Sequence, residues 1–378
     1  VEVNVTLASW SMLLIYSAGA VYALAFIVYA FDLFGGKKKR AGKAADSADS
    51  GASSGAVADA AKGAKRTSRT RTSADAGAAD DGGAVGTLVQ ENLDGPADRV
   101  YSNRTADEAN EKGGRGDASA VDGGKRRVFA NVGTSLTVLA LLLHIASIVT
   151  RGMSVMRAPW GNMMEYALLA SAVAGAVYVV TLRYKDVRYL GTFVTGFLLV
   201  SIGLATTVFY TPAAPLVPAL QSYWILIHVP IAILSTGLLT VSAALATVQL
   251  LQGAREKRVA AGRDAGWLSF LERMPRAASI EAVSYRLAAV GFITWTFTLI
   301  AGAIWAEVAW GRYWGWDAKE IWTFVIWVVY AAYLHSRATR GLRLTTIAWL
   351  NLIGFITIIF NFTIVNVYFN GLHSYSGL

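Results

Sequence analysis

Apolar residues in this chain fall in long unbroken runs rather than in alternating positions or narrow stripes. The first covers about 7–33, and the others cover about 129–150, 162–182, 188–210, 222–251, 285–305, 320–336 and 344–366. A run of about 20 apolar residues is enough to cross a hydrocarbon core about 30 Å thick. In lipid such a run must be helical, because every backbone N–H and C=O has to be satisfied internally. The pattern predicts an all-α polytopic membrane protein of about eight transmembrane helices. Between the first two runs, residues 35–127 are rich in Ala, Gly, Asp, Ser, Lys and Arg and nearly free of aromatic and long aliphatic side chains. That composition buries too little apolar surface to offset chain entropy. Three segments are expected: an N-terminal transmembrane helix at 1–34, a disordered cytoplasmic linker at 35–127, and a seven-helix domain at 128–378.

The basic residues sit between the apolar runs. Lys37 to Arg40 and Lys125 to Arg127 flank the linker. Arg183, Lys185 and Arg188 fill a short turn, Arg255 to Arg276 crowd another, and Arg337, Arg340 and Arg343 fill the last. With eight spans these connections share one side, which the positive-inside rule makes cytoplasmic. Both termini and the loops near 151–161, 211–221 and 306–319 then lie outside, with Arg151 and Arg157 a minor exception. The stretch 266–282 reads equally as an amphipathic helix on the inner leaflet or as a plain connector. No short apolar segment precedes a small-residue cleavage site, so no removable signal peptide is expected.

Composition agrees with this picture. Of 378 residues, 54% are apolar and 16% charged, against about 25% charged in a soluble domain. The net charge of +9 is accounted for by topology, so nucleic acid is not an expected partner. The absence of cysteine excludes a disulfide framework, a thiolate metal site and thiol redox chemistry.

The loop before the seventh span carries the candidate chemistry. Residues 305–322 hold five of the chain's twelve tryptophans: Trp305, Trp310, Trp314, Trp316 and Trp322. An interfacial aromatic belt explains one or two of these. It does not explain Gly311, Gly315 and Asp317 interleaved among them. Indole faces make a broad apolar platform, glycines allow close backbone approach, and Arg312 and Lys319 suit carboxylates. A planar, mostly apolar ligand with carboxylates, such as haem, fits this set.

Four histidines complete the inventory. Neutral imidazole is an axial ligand of haem iron, and histidine within a span is costly. His228, near the outer end of the fifth span, and His373, in the outer tail, fall on the tryptophan side. Together they suit a six-coordinate haem; each alone suits a hydrogen bond at a helix end. His335 lies near the inner end of the seventh span, about 20 Å from that loop. His144, in the second span, is expected to be a hydrogen-bonded core histidine. Glu165, at the mouth of the third span, is expected to position its neighbours.

The stretch Trp310-Gly311-Arg312-Tyr313-Trp314-Gly315-Trp316-Asp317-Ala318-Lys319-Glu320-Ile321-Trp322 resembles the WWD signature of haem-handling proteins. It is most similar to the CcsA/ResC group of system II cytochrome c biogenesis, called CcsB in actinobacteria. The shorter CcmC and larger CcmF relatives of system I fit less well, and Ala318 stands where proline is expected. The resemblance covers about 128–378.

It implies a bacterial plasma-membrane protein that transports or presents haem b, as substrate and bound ligand, for covalent attachment to apocytochrome c. The chain would belong to a holocytochrome c synthase complex with a ResB-type partner. His228 and His373 would ligate the external haem over Trp310, Trp314 and Trp316. Asp317 counts with these as catalytic, and Trp305, Trp322, Arg312 and Lys319 as binding. His335 would be an inner haem ligand whose fellow comes from the partner; otherwise it anchors the helix beside Arg337. The thiols would come from the substrate's Cys-x-x-Cys-His segment. The competing readings are a haem exporter, a haem-binding electron carrier without ligation chemistry, and a membrane scaffold. The exporter lacks support from repeats or broken helices, and the carrier from a second histidine pair within the bundle.

Overall fold

A computed structural model of the chain describes residues 2–34, 123–216, 218–272, 274–339 and 342–373. Of the linker expected over 35–127, residues 35–122 lie outside the described residues, as do Arg273, Arg340 and the side chains of Lys125 to Arg127, while 123–127 form the first residues of a helix. Among the described residues there is no strand. The described residues form eight long helices: α1 Val5–Phe34, α2 Gly123–Ser154, α3 Met163–Tyr184, α4 Gly191–Thr207, α5 Ile225–Ala260, α6 Ala277–Trp310, α7 Ala318–Ala338 and α8 Leu344–Phe360. A π turn, Asn361–Val365, continues α8.

Seven of the eight are long and apolar enough to cross a membrane; α7 is not. The difference from the sequence reading lies in the polar ends of α7, which carries Lys319 and Glu320 at its start and His335 and Arg337 at its finish. Its packing nevertheless follows α6 from end to end. Arg337 Nε lies 2.9 Å from Glu281 Oε1, Trp327 Nε1 donates to Thr296 Oγ1 at 3.0 Å, and Trp295 Nε1 donates to the Thr323 carbonyl at 3.1 Å. The start of α7 meets the later half of α6, at Trp295 and Thr296, and its finish meets Glu281 near the start of α6, so the two helices are antiparallel and traverse the same slab. At about 1.5 Å per residue, the 21 residues of α7 cover roughly the hydrocarbon thickness.

Lipid tails supply no hydrophobic drive between helices, so contacts rest on close packing and buried polar bonds. One apolar cluster joins α1 to α4 with the inner part of α5, including Tyr22, Leu141, Leu168, Leu198 and Leu245. A second joins α5 to α8 through Leu239, Trp295, Ile326, Tyr330 and Ile358. Within the bundle Asn351 Nδ2 donates to Ser242 Oγ at 2.8 Å and to Ser284 Oγ at 3.0 Å, tying α8 to α5 and α6.

The loops sort to two ends as the charge pattern requires. At one end Arg151 Nη2 donates to the Thr211 carbonyl at 2.6 Å, and Leu372 N–H donates to Asp317 Oδ2 at 2.7 Å. At the other, Arg188 Nη1 donates to Asn131 Oδ1 at 2.7 Å and the rings of Phe34 and Phe270 lie 5.1 Å apart. The stretch 266–282 is not one amphipathic helix. It is a short 3-10 turn, Gly266–Leu271, with Leu268 and Leu271 buried, and α6 begins at Ala277.

Candidate functional site

A cavity of about 340 Å³ opens at the tryptophan end, walled by α3, α4, α5, α6, α7 and α8. Its wall is mainly apolar and includes Tyr166, Trp305 and Trp314, with His228, Lys319, Glu320, Asn361, Asn366 and His373 among its polar members. Its volume lies within the range of small-molecule sites.

His228 stands one turn into α5. Its Nδ1 lies 3.0 Å from the Thr298 carbonyl of α6. A carbonyl only accepts, so Nδ1 carries the proton and Nε2 keeps the lone pair. The ring lies so close to α6 that a Cβ on Gly302 would stand 2.7 Å from His228 Cε1. Trp305, 1% exposed, lies nearly parallel to His228, with centroids 6.0 Å apart and 11° between the planes.

His373 reaches the same indole. It meets Trp305 edge-on at 5.6 Å and Trp310 at 4.7 Å. Burial pushes its imidazole down to about 4, which leaves it neutral near pH 7 despite nearby Asp317. Its Nδ1 lies 3.6 Å from Asp317 Oδ1, too far for a hydrogen bond. Asp317 caps α7 by accepting from Lys319 N–H. Partial burial raises its carboxyl, but the N–H groups of Lys319 and Leu372 and the nearby His373 outweigh that and hold it below the usual range.

Lys319 is partly buried on the cavity wall. Its Nζ donates to the Asn361 carbonyl at 2.9 Å and to Asn366 Oδ1 at 2.8 Å. The π turn supplies both geometry and acceptor, since its altered register frees carbonyls from the helical ladder. Both partners are neutral, and no carboxylate pairs with Lys319 among the described residues.

The remaining sequence candidates divide. Trp310 backs His373 and Trp305. Trp316 is 68% exposed, meets Trp314 edge-on at 5.9 Å, and has a left-handed φ of 60°. Trp322 packs on Phe360, centroids 4.2 Å apart, away from the cavity wall. Arg312 is engaged by Glu320 at 2.9 Å and lies over Trp310. His335 is exposed at the opposite end. His144 is fully buried beside Tyr22 and the Leu168 backbone, but neither ring nitrogen reaches a hydrogen-bond partner. It is buried in the core, as expected, and faces the Leu168 backbone.

Two groups were not singled out from sequence as a unit. Glu165, 2% exposed, binds Arg151 Nε at 3.0 Å and Arg157 Nη1 at 2.8 Å and accepts from Gly161 N–H at 2.8 Å. The outer arginines that broke the charge trend are thus partnered inside the protein. Glu320 closes a capping box with Asp317 and also accepts from Gly315 N–H at 2.8 Å, which shapes the glycine-tryptophan loop. The acidic residue three positions into each helix, Asn162 with Glu165 and Asp317 with Glu320, was the available signal.

Fold and site together define a polytopic helical membrane protein with a paired-histidine, indole-walled cavity at one end. The chain belongs to the cytochrome c assembly protein family, whose model matches residues 160–373, and it serves cytochrome c biogenesis. The cytochrome c biogenesis protein CcsA of Guillardia theta is 32% identical over 262 residues, covering 65% of this chain and 86% of that protein. CcsA of Gloeobacter violaceus is 30% identical over 296 residues, covering 65% and 87%. CcsA of Chlamydomonas reinhardtii is 37% identical over 163 residues, 43% of each chain. These relatives place the chain in the CcsA group that the tryptophan signature resembles. Among solved structures, the cytochrome c heme lyase CcmF matches with a TM-score of 0.46 at 18% identity, over 64% of this chain and 42% of that one, a likeness too slight to bear on fold or function.

Proposed function

We propose that this chain holds haem b at the His228–His373 cavity and presents it for covalent attachment to apocytochrome c. The observation that carries the reading is the convergence of two imidazoles on Trp305, at a cavity whose one ammonium, that of Lys319, meets only neutral acceptors. These residues suit haem. His228 offers Nε2 because Thr298 occupies Nδ1, and His373 is neutral, as a ligand must be. Lys319 provides the countercharge for a carboxylate. Trp305 and Trp314 supply apolar ring surface on the wall, and Trp310 backs Trp305 and His373 from behind.

Haem supplies the vinyl groups of the reaction, and the apocytochrome supplies the thiols of a Cys-x-x-Cys-His segment. The chain's own work is positioning, which is worth several kcal/mol when reacting groups are held in near-attack geometry. His335 faces outward from α7. Its role as an inner haem ligand therefore requires a second ligand from another chain, in our reading a ResB-type subunit. The tryptophan end then faces outward from a bacterial plasma membrane, with the basic turns inside.

The test is the visible absorption spectrum of the purified protein beside His228→Ala and His373→Ala. A low-spin haem spectrum weakened in both variants supports the cavity reading. Wild-type protein without haem, even with its partner subunit, overturns it. Covalent haem on a co-expressed apocytochrome separates attachment from export alone.

A further inference from the structure

The C-terminal turn that carries His373 is fastened to the start of α7 by one carboxylate. Asp317 Oδ2 accepts from Leu372 N–H at 2.7 Å, while Oδ1 accepts from Lys319 N–H at 2.9 Å. Gly371 passes so close that a Cβ there would overlap Asp317 Oδ2. Oδ1 also lies 3.6 Å from His373 Nδ1, and that nitrogen is buried with no hydrogen-bond partner. A buried ring N–H without an acceptor is costly. A ring shift of roughly 0.7 Å brings Nδ1 within hydrogen-bond range of the carboxylate. Asp317 itself does not line the cavity, whereas His373 does.

We infer that Asp317 is the positioning residue of His373: its carboxylate fastens the 371–373 turn and accepts a hydrogen bond from Nδ1–H, so that Nε2 would be the atom offered to the iron. The arrangement is that of a ligating histidine whose other nitrogen donates to a carboxylate, which fixes the tautomer and makes the imidazole a stronger donor. It mirrors His228, where a neutral carbonyl performs the same task. The two imidazoles that would hold the haem are then unequal: His373 is backed by an anion, His228 by a dipole. A stronger donor favours the ferric state, so Asp317 lowers the reduction potential of the bound haem. The assignment rests on His373 being an iron ligand.

The test uses full-length protein with its bound haem, comparing wild type, Asp317→Asn, Gly371→Ala and His373→Ala. Asp317→Asn removes the charge. Gly371→Ala moves the turn away from an intact Asp317 and leaves the α7 cap in place, so it stays informative if the first variant folds poorly. The readouts are the haem midpoint potential, haem occupancy, and amide exchange at Leu372 in haem-free protein. We expect a raised potential and at least a fivefold lower occupancy in both variants, with faster exchange at Leu372. A wild-type potential in both overturns the inference, whatever the occupancy, because a staple alone does not tune the iron. If His373→Ala keeps the wild-type spectrum, the histidine assignment itself fails, and that result is read separately.

Discussion

The imidazole of His228 and the indole of Trp305 lie face to face, 6.0 Å apart and 11° from parallel, although 77 positions separate them in the chain. Gly302 makes this possible, because α6 can approach the imidazole only where no side chain intervenes. Gly302→Ala places a methyl 2.7 Å from Cε1, so the ring must move off Thr298. The expected result is a loss of about tenfold in haem affinity and a shift toward a high-spin spectrum, with little change in helix content. Haem titration followed by absorption and circular dichroism checks it. An unchanged spectrum would detach His228 from the iron.

Lys319 yields a prediction with two opposite signs. Its charge sits on a largely apolar wall with neutral partners, and an ammonium so placed is costly. Lys319→Met removes that cost and keeps the side-chain volume. The haem-free protein should be as stable as wild type or more so, while haem affinity falls about tenfold, the scale of one charge-assisted bond. Thermal unfolding in detergent and haem titration measure the two effects. Equal loss of both would make Lys319 a structural residue.

Much of this architecture was legible in the sequence, and the reason is lipid. A span must be helical and apolar, so runs such as 222–251 announce themselves, and the basic turns sort the loops to two ends. The tryptophan loop was legible because its density exceeds what an interface needs. What the sequence did not disclose are contacts made across the bundle. Thr298 is one carbonyl among many until α6 lies beside α5, and Asn361 accepts from Lys319 only because α8 relaxes into a π turn. Trp322 and Trp310 look alike in sequence, yet helical phase turns one to Phe360 and the other to His373. The polar ends of α7 similarly hid a helix whose place is set by Glu281, Thr296 and Thr323.

The Glu165 cluster predicts a stability defect separable from function. Its carboxylate is buried between two guanidinium groups, and removing one member of such a set costs about 3–5 kcal/mol because charge is left unpaired. Glu165→Ala strands both arginines and should be the most destabilising change at this end of the bundle. Arg157→Ala leaves the Arg151 pair and should cost less. Neither arginine lines the cavity, so protein that remains folded should keep its haem spectrum. Chemical unfolding in detergent beside the spectrum distinguishes this from a direct role in binding.

His373 sets a pH limit on the docked tail. Burial lowers its folded value to about 4 from the 6.5 of a free imidazole. Above pH 6.5 the ring is neutral in both docked and released states, so protonation has no effect. As pH falls from 6.5 to about 4, the released ring takes up a proton that the docked ring does not, and docking weakens throughout that window. At about 1.4 kcal/mol per unit, the loss approaches 3 kcal/mol as an upper bound, reduced by the ring's partial exposure. Proteolytic release of the tail from haem-free protein should therefore rise between pH 6.5 and 4.5 and stay flat from 7 to 8. His373→Phe should remove the dependence.

His335 separates the two ends of the molecule. It is exposed near the finish of α7, while Lys319 at the start of the same helix lines the cavity; sixteen residues at about 1.5 Å each place them roughly 24 Å apart. An effect on the cavity through direct contact is excluded at that distance. In protein purified without a partner, His335→Ala should leave the spectrum and affinity of the His228–His373 site unchanged. In cells that also make the partner subunit, the same substitution should lower haem occupancy at the cavity severalfold, because delivery and not binding is impaired. Externally added haem should then restore the spectrum of His335→Ala but not that of His228→Ala. If added haem fails to restore it, His335 shapes the fold and is not a station on the way to the cavity. If occupancy is normal even with the partner present, His335 serves only as an interfacial anchor beside Arg337.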